Sequence, residues 1–578
     1  MARSKGQKSK RPETPERDRP AEAAEAAART IHLDGKTLEG GGQLVRNALA
    51  LSALTAKPIT ITNIRGNRRG KTGLKGSHAA AVKSLVETCG GEVTGGEIGS
   101  TTLTFFPRGR SAVDDDGDQL SLAFTHPWSG QPPIRPEYNI RLSTAGSIFL
   151  IFQALYPYLL HASSFGSVGP VRLNITGGTN VSCAPSYDYE KQVFVPNLQR
   201  LGFPRLSVNL RDRGWSTGPM NLGTVTFTIH PLGSDKATES QTDAQPDGPN
   251  GVDGTATEEE QKREVDGEYS PSQSRFPLLN LGHYRRGKIT KVDITILAPD
   301  TSLRGREFRG DRKRERKDKR RSHESRQYDS SGNTEHLESD ESAEWDERSP
   351  ESMTVREYLE EKALKAVARA LKRLPESVIP RRSSSNDSHV DGDSSNADTG
   401  ISIPIKTHTS ETTHHHTHLY ILLVAHTSNG FKLGRDALFE GFGKRGRRTT
   451  GKHGQENRNS NGGSGGSSVL DELVERCVEG FVEELHPDEL PQGADDGQKR
   501  KKHKPCVDAF MRDQLVIFEA LGRVQSREKA DGDVAVSDGK DKADEEAKDE
   551  DEDERYWSLH TQTARWVCEK ILGEDIWL

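Results

Sequence analysis

Little of this 578-residue chain is apolar: 31% of it is hydrophobic, 6% is aromatic, and the mean hydropathy is −0.77. Much of it therefore cannot be core, because polar runs bury too little apolar area to offset the entropy of ordering their backbone. Cysteine is sparse as well. Cys89, Cys183, Cys477, Cys506 and Cys568 lie far apart with no CxxC spacing, which argues against a zinc ribbon or a disulfide framework and fits a reducing compartment. No global basic field announces nucleic acid, since the net charge is −6, but local blocks of opposite sign cancel in that sum. No stretch approaches the roughly 20 apolar residues of a spanning helix, and the N-terminus carries no apolar signal segment. The chain reads as soluble and intracellular, with no membrane partner. Arg3, Lys5, Lys8, Lys10 and Arg11 form either a nuclear import tail or a solvated one, so the nucleus is the expected location and the cytoplasm the alternative.

Polarity is concentrated in low-complexity blocks near 233–274, 305–350, 380–417, 443–468, 488–505 and 525–555, which read as long disordered insertions in surface loops. Loop closure costs only about 0.6 kcal/mol per doubling of length, so a folded core tolerates them. Without them and the tail, roughly 350 patterned residues remain, enough for two or more cores. These alternate strands with helices. Strands are expected at 30–33, 58–64, 103–106, 171–175 and 224–229, and helices at 43–54, 77–89, 145–160 and 189–201. A second set follows: strand 288–296, helix 354–374 and strand 419–426. Three helices are expected in the final segment. The fold class is α/β (α+β), with repeated α/β units in a large domain and a smaller inserted α/β domain. The expected divisions are a disordered tail at 1–29, the large domain's first part at 30–276, the inserted domain at 277–442 and the large domain's last part at 443–578.

Four places carry candidate chemistry. Glu39-Gly40-Gly41-Gly42-Gln43 lies between a strand and a helix, where backbone N–H groups can hold a phosphate and Glu39 can hold a divalent cation; a plain tight turn is the alternative. Gly66–Thr72 resembles a P-loop, but the spacing needs glycine where Arg65 stands. Arg65, Arg68, Arg69, Lys71 and Lys75 instead form a cationic loop suited to a terminal phosphate, or simply a solvated one. Phe510, Asp513 and Gln514 fall on one helix face, where they can receive a base and its sugar or form an apolar contact with a polar rim. His560 starts a helix with a buried stripe at Ala564, Val567, Cys568 and Ile571. The positive helix end disfavours imidazolium, leaving a neutral nitrogen nucleophile, or the residue is merely structural. His414, His415, His416 and His418 have no accompanying acidic or cysteine ligand pattern and read as a low-complexity loop rather than a metal site.

Six ordered segments together resemble the RNA 3′-terminal phosphate cyclase family: LDGKTLEGGGQLVRNALALSAL at 33–54, ITNIRGNRRGKTGLKGSHAAAVK at 61–83, STAGSIFLIFQ at 143–153, GGTNVSCAPSYDY at 177–189, VDAFMRDQLVIFEAL at 507–521 and LHTQTA at 559–564. The resemblance implies an enzyme that adenylates His560 with ATP, moves the AMP to an RNA 3′-phosphate, and closes that end to a 2′,3′-cyclic phosphate. It implies ATP and a divalent cation, Mg or Mn, as cofactors and RNA 3′ ends as partners. It assigns Glu39 to the metal, Gln153, Pro185, Phe510, Asp513 and Gln514 to the nucleotide, and Arg46, Arg65, Lys71 and His78 to phosphates or the RNA end. Three departures stand out. Phe510 replaces the usual tyrosine, the basic loop carries one extra residue near Arg68 and Arg69, and Gly218–Gly223 replaces a run of glycines. The alternative is a non-cyclising relative acting in ribosome assembly, a branch that lacks the histidine.

Overall fold

The computed structural model describes residues 30–68, 70–107, 132–165, 169–234, 275–303, 353–380, 403–440, 469–487, 504–533 and 554–578. The basic tail, Arg69, and most of the blocks expected as disordered insertions lie outside the described residues. Two sheets repeat one pattern. Strands β1 (Ile31–Asp34), β2 (Ile59–Thr62), β3 (Glu92–Thr94) and β4 (Leu103–Phe106) stand in the order β1-β2-β4-β3, with β1 and β2 parallel and β4 antiparallel to both neighbours. Helix α1 (Gly42–Thr55) joins β1 to β2, and α2 (Gly76–Cys89) leads from β2 to β3.

The second sheet has the same βαβαββ order. It runs β5 (Glu137–Arg141), α3 (Ile148–Ala162), β6 (Val171–Gly177), a composite helix α4 at 187–200, β7 (Leu206–Asp212) and β8 (Gly223–Ile229), with strand order β5-β6-β8-β7. Helix α4 changes from α-helical Tyr187–Tyr189 through a π-helical turn, Glu190–Phe194, to α-helical Val195–Arg200. Strands β6 and β8 alternate buried with half-buried positions over most of their length, which is the period-2 pattern of a sheet with one packed face.

Helix α3 packs against α1, α2, β6 and β8. Its neighbourhood, Ile148–Phe165, is apolar enough by length and composition to pass for a membrane span, and 83% of it is buried inside the fold. That corrects the expectation of no such stretch; the apolarity reflects a helix enclosed on nearly every side. Phe152 stacks on Phe227 with centroids 4.2 Å apart and on Tyr156 at 4.8 Å.

A third sheet, β10-β9-β11-β12, is formed by β9 (Ile289–Ala298), β10 (Ile405–Thr412), β11 (Tyr420–Thr427) and β12 (Lys432–Leu438), with α5 (Val355–Arg373) joining the parallel pair β9 and β10. A capping box starts α5: Thr354 accepts from the Glu357 N–H at 3.2 Å and Glu357 accepts from the Thr354 N–H at 2.9 Å. This sheet has its own apolar core. The core also takes in α6 (Val469–Leu485), whose stripe Leu470, Leu473, Val474, Cys477 and Phe481 covers β11 and β12, so it reaches past residue 442. Residues 403–417, expected as part of an insertion, are instead strand β10 and a packed turn. The Thr/Ser/His alternation there places half-buried residues on one side of an edge strand and exposed ones on the other. His418 stacks on Trp215 at 4.6 Å and is buried, so the histidine cluster is a seam between the two units; no group of three metal-binding side chains occurs among the described residues.

Helices α7 (Ala509–Asp533) and α8 (Leu559–Leu572) return to the large core, where α8 packs on both α1 and α7. The fully buried Phe227 ring fills the space between Phe149 and Phe152. Phe227→Ala is expected to remove about 3–5 kcal/mol from the unfolding free energy of the large unit, read by denaturant titration, and a loss below about 1 kcal/mol would contradict this packing.

Candidate active site

The loop between β1 and α1 carries the first functional side chain. Gly40 has φ +61°, a left-handed conformation that glycine adopts without penalty, and at Gly42 an added Cβ would overlap the His78 ring and lie 3.1 Å from Arg46 Nη1. The glycines thus let three elements close on one point. Glu39 is turned inward with its side chain only 8% exposed, and its carboxylate pairs with the Arg68 guanidinium from the basic loop. His560 Nδ1 lies 3.8 Å from Glu39 Oε2. The Glu39 N–H donates to Thr563 Oγ1 at 3.2 Å, one turn along α8 from the histidine.

His560 stands in the first turn of α8, at the positive end of the helix. Burial, and then the cations of Arg68 and Arg46, push its pKa down to about 4, so the ring is neutral at pH 7. Nothing among the described residues hydrogen-bonds its Nδ1. His78, at the start of α2, is buried, and its pKa is pushed down to about 3 by burial and by Arg46, Arg65 and Lys75. Its Nδ1 accepts from the Lys75 N–H at 3.4 Å, which leaves the proton on Nε2, beside Gly42. Arg46 is held down to about 10 by burial, with Asp513 acting against that shift.

A small cavity opens between α1, α3, α4 and α7. Gln43, Arg46, Gln153, Asp513 and Gln514 supply its polar lining, and Phe152 and Phe518 part of its apolar wall. Gln514 Oε1 and Tyr156 Oη are buried there without hydrogen-bond partners among the described residues. Gln43 Nε2 donates to the Asp513 carbonyl at 2.9 Å, which ties the glycine loop's helix to α7.

The remaining assigned residues are distributed around this centre. Phe510 does not line the cavity: it meets Tyr189 edge-on at 5.9 Å, and the Arg435 guanidinium lies 5.2 Å from its ring centroid. Arg65, itself at φ +59°, donates to the Lys71 carbonyl at 2.9 Å and the Gly73 carbonyl at 3.3 Å, shaping the loop while Lys71 stays exposed. Pro185 is half-buried on the loop before α4, next to Ser186, which caps that helix. Residue-level reading passed over Ser558, Thr561 and Thr563. Only Ser558, a serine just before a periodic helix, carried a local signal, that of an N-cap.

Comparison with known proteins adds the lineage. A family model described as RNA 3′-terminal phosphate cyclase matches residues 37–577. A protein named RNA 3′-terminal phosphate cyclase from Ignicoccus hospitalis is 36% identical over 204 residues, which cover 35% of this chain and 49% of that protein. One of the same name from Desulfurococcus amylolyticus is 39% identical over 184 residues, 32% of this chain and 43% of the relative. A third, from Methanococcoides burtonii, is 36% identical over 202 residues, 35% of this chain and 51% of the relative. The chain thus spans about half the length of the curated relatives it matches. With the match extending from the glycine loop to the end of the last helix, the chain belongs to the RNA 3′-terminal phosphate cyclase family.

Proposed function

We propose that this protein uses ATP to convert an RNA 3′-terminal phosphate into a 2′,3′-cyclic phosphodiester, through AMP carried on His560. The observation that carries this reading is the neutral imidazole of His560 at a helix N-terminus, 3.8 Å from Glu39 and within the field of Arg46 and Arg68. With the proton on Nδ1 facing Glu39, the Nε2 lone pair attacks the α-phosphorus of ATP; a P–N bond forms and the P–O bond to pyrophosphate breaks. The ring becomes cationic in that step, and the Glu39 carboxylate opposes the new charge.

An oxygen of the RNA 3′-phosphate then attacks the same phosphorus. The P–N bond breaks, His560 is released neutral, and the RNA end carries a diphosphate bridge to AMP. The neighbouring 2′-hydroxyl attacks the RNA phosphorus, loses its proton, and expels AMP. Arg46 Nη1 and the Nε2–H of His78 both lie against Gly42 and suit the phosphate oxygens, and Arg65 adds positive charge beside His78. Gln153 and Gln514, in the cavity beside Arg46, suit the nucleoside.

Glu39 also fits a divalent cation: its carboxylate is buried, and the cation paired with it is the guanidinium of Arg68, on a long side chain from the basic loop. A magnesium-type ion is commonly held by one or two carboxylates plus phosphate oxygens and water, and it neutralises charge on the phosphates. An ion on Glu39 would take over the role of Arg68 and leave that guanidinium to the phosphates.

Incubation with radiolabelled ATP and magnesium or manganese is expected to attach AMP to the protein. His560→Ala should abolish labelling without altering circular dichroism, and Glu39→Gln should lower it by about 100- to 1,000-fold, the scale of removing one charge-stabilising group. Unlabelled, well-folded wild type would contradict the reading and favour a non-cyclising role in ribosomal RNA processing.

A further inference from the structure

Two of the three hydroxyls overlooked at the start of α8 meet on one carboxylate. Ser558 Oγ and Thr561 Oγ1 both donate to Asp513 Oδ1, each at 2.6 Å. Ser558 Oγ also accepts from the Thr561 N–H at 2.9 Å, as the N-cap of α8. Asp513 is anchored in turn. Its carbonyl accepts from Gln43 on α1, and the helix that bears it is capped by the fully buried Asp508, which accepts from the Met511 N–H at 2.9 Å, from Tyr189 Oη at 2.6 Å and from the Gly434 N–H at 2.8 Å. Thr563 completes the set: its hydroxyl donates to the Leu559 carbonyl at 2.6 Å and accepts from the Glu39 N–H. His560 lies between Ser558 and Thr561, so its ring is aimed by a turn fixed on both flanks.

We propose that Asp513 is a positioning residue for His560: its carboxylate grips the N-terminal turn of α8 through Ser558 and Thr561 and thereby sets the imidazole against Glu39. This rests on the reading of His560 as the nucleotide-carrying group. The oxygen that accepts two short hydroxyl bonds is committed to α8, and a carboxylate facing a triphosphate would repel it, whereas the same charge at the N-terminus of α8 stabilises that helix. The consequence is a separation of roles on α7. Both residues line the cavity, but Asp513 gives its Oδ1 to the turn that bears the nucleophile, while Gln514 keeps an unpaired Oε1 for the ligand.

The test compares Ser558→Ala, Thr561→Val, Thr561→Ser and Asp513→Ala in single-turnover transfer of AMP from ATP to the full-length protein, with hydrogen exchange across residues 559–563 as a second readout. Loss of a charge-assisted hydrogen bond is expected to slow transfer at saturating ATP by about tenfold in Thr561→Val and Ser558→Ala, and further in Asp513→Ala. The ATP concentration at half-saturation should stay at its wild-type value, and Thr561→Ser, which keeps the hydroxyl, should restore the rate. The exchange of residues 559–563 should accelerate in the three impaired variants. Wild-type transfer in Ser558→Ala and Thr561→Val, combined with a raised half-saturating ATP in Asp513→Ala, would overturn the proposal and make Asp513 a nucleotide ligand. If wild type takes up no AMP, the proposed function fails and exchange alone decides the clamp: unchanged exchange in Asp513→Ala would overturn it.

Discussion

Burying a carboxylate costs far more than an isolated hydrogen bond returns, so Glu39 dictates much of what surrounds it. Its charge is met by Arg68, its backbone by Thr563, and its open side by the neutral ring of His560. The ring stays neutral because it is desolvated among guanidinium groups, and those groups are present because the site gathers cations. An anionic polyphosphate would be welcomed by the same field that keeps the histidine unprotonated. On the proposed function, nucleophile and substrate would share one electrostatic cause.

Rigidity comes from the convergence of α1, α7 and α8. Packing of α8 on both partners fixes its axis, and the hydroxyl bonds to Asp513 fix its rotation at the end that matters. The smaller unit contributes from the side. Arg213 of the large unit forks between Asp188 at 2.8 Å and Glu411 at 2.7 Å, and Tyr420 reaches Ser186 at 2.5 Å, so strand β11 and helix α4 are locked together. Because Asp508 bonds both to Tyr189 of α4 and to the backbone of Gly434 in β12, the seam between the units also steadies the start of α7. Thus the inserted sheet reinforces the helix that carries Asp513 and Gln514.

Elements with a strong internal period were legible. Helices α1, α2 and α5 lie within about two residues of their expected ends, since apolar stripes and caps are local signals. Strands β3, β5, β7, β10 and β12 escaped notice for a physical reason. All five are edge strands, and β5, β7 and β10 carry Asn, Lys, Arg, Thr and Ser, so their stability resides in pairing with the neighbouring strand. At the site, Glu39 and His560 could be singled out from the chain, and Arg46 and His78 only through family resemblance, but their meeting depends on contacts more than 500 residues apart, such as that of Glu39 with Thr563, which no spacing encodes. Gln153 was placed by family resemblance alone, and the cavity now sets it beside Asp513 and Gln514. Phe510 shares their helix but faces Tyr189 and Arg435, because one turn of helix separates cavity from seam.

The protonation state of His560 is therefore the most direct measure of the account. Histidine-selective NMR titration, with His560→Asn used to assign the resonance, is expected to show the ring titrating near pH 4, displaced downward by burial and by Arg68 and Arg46. A midpoint at the ordinary value of about 6.5 would contradict it, because the imidazole would then stand in water, away from the cations on which the proposed function relies.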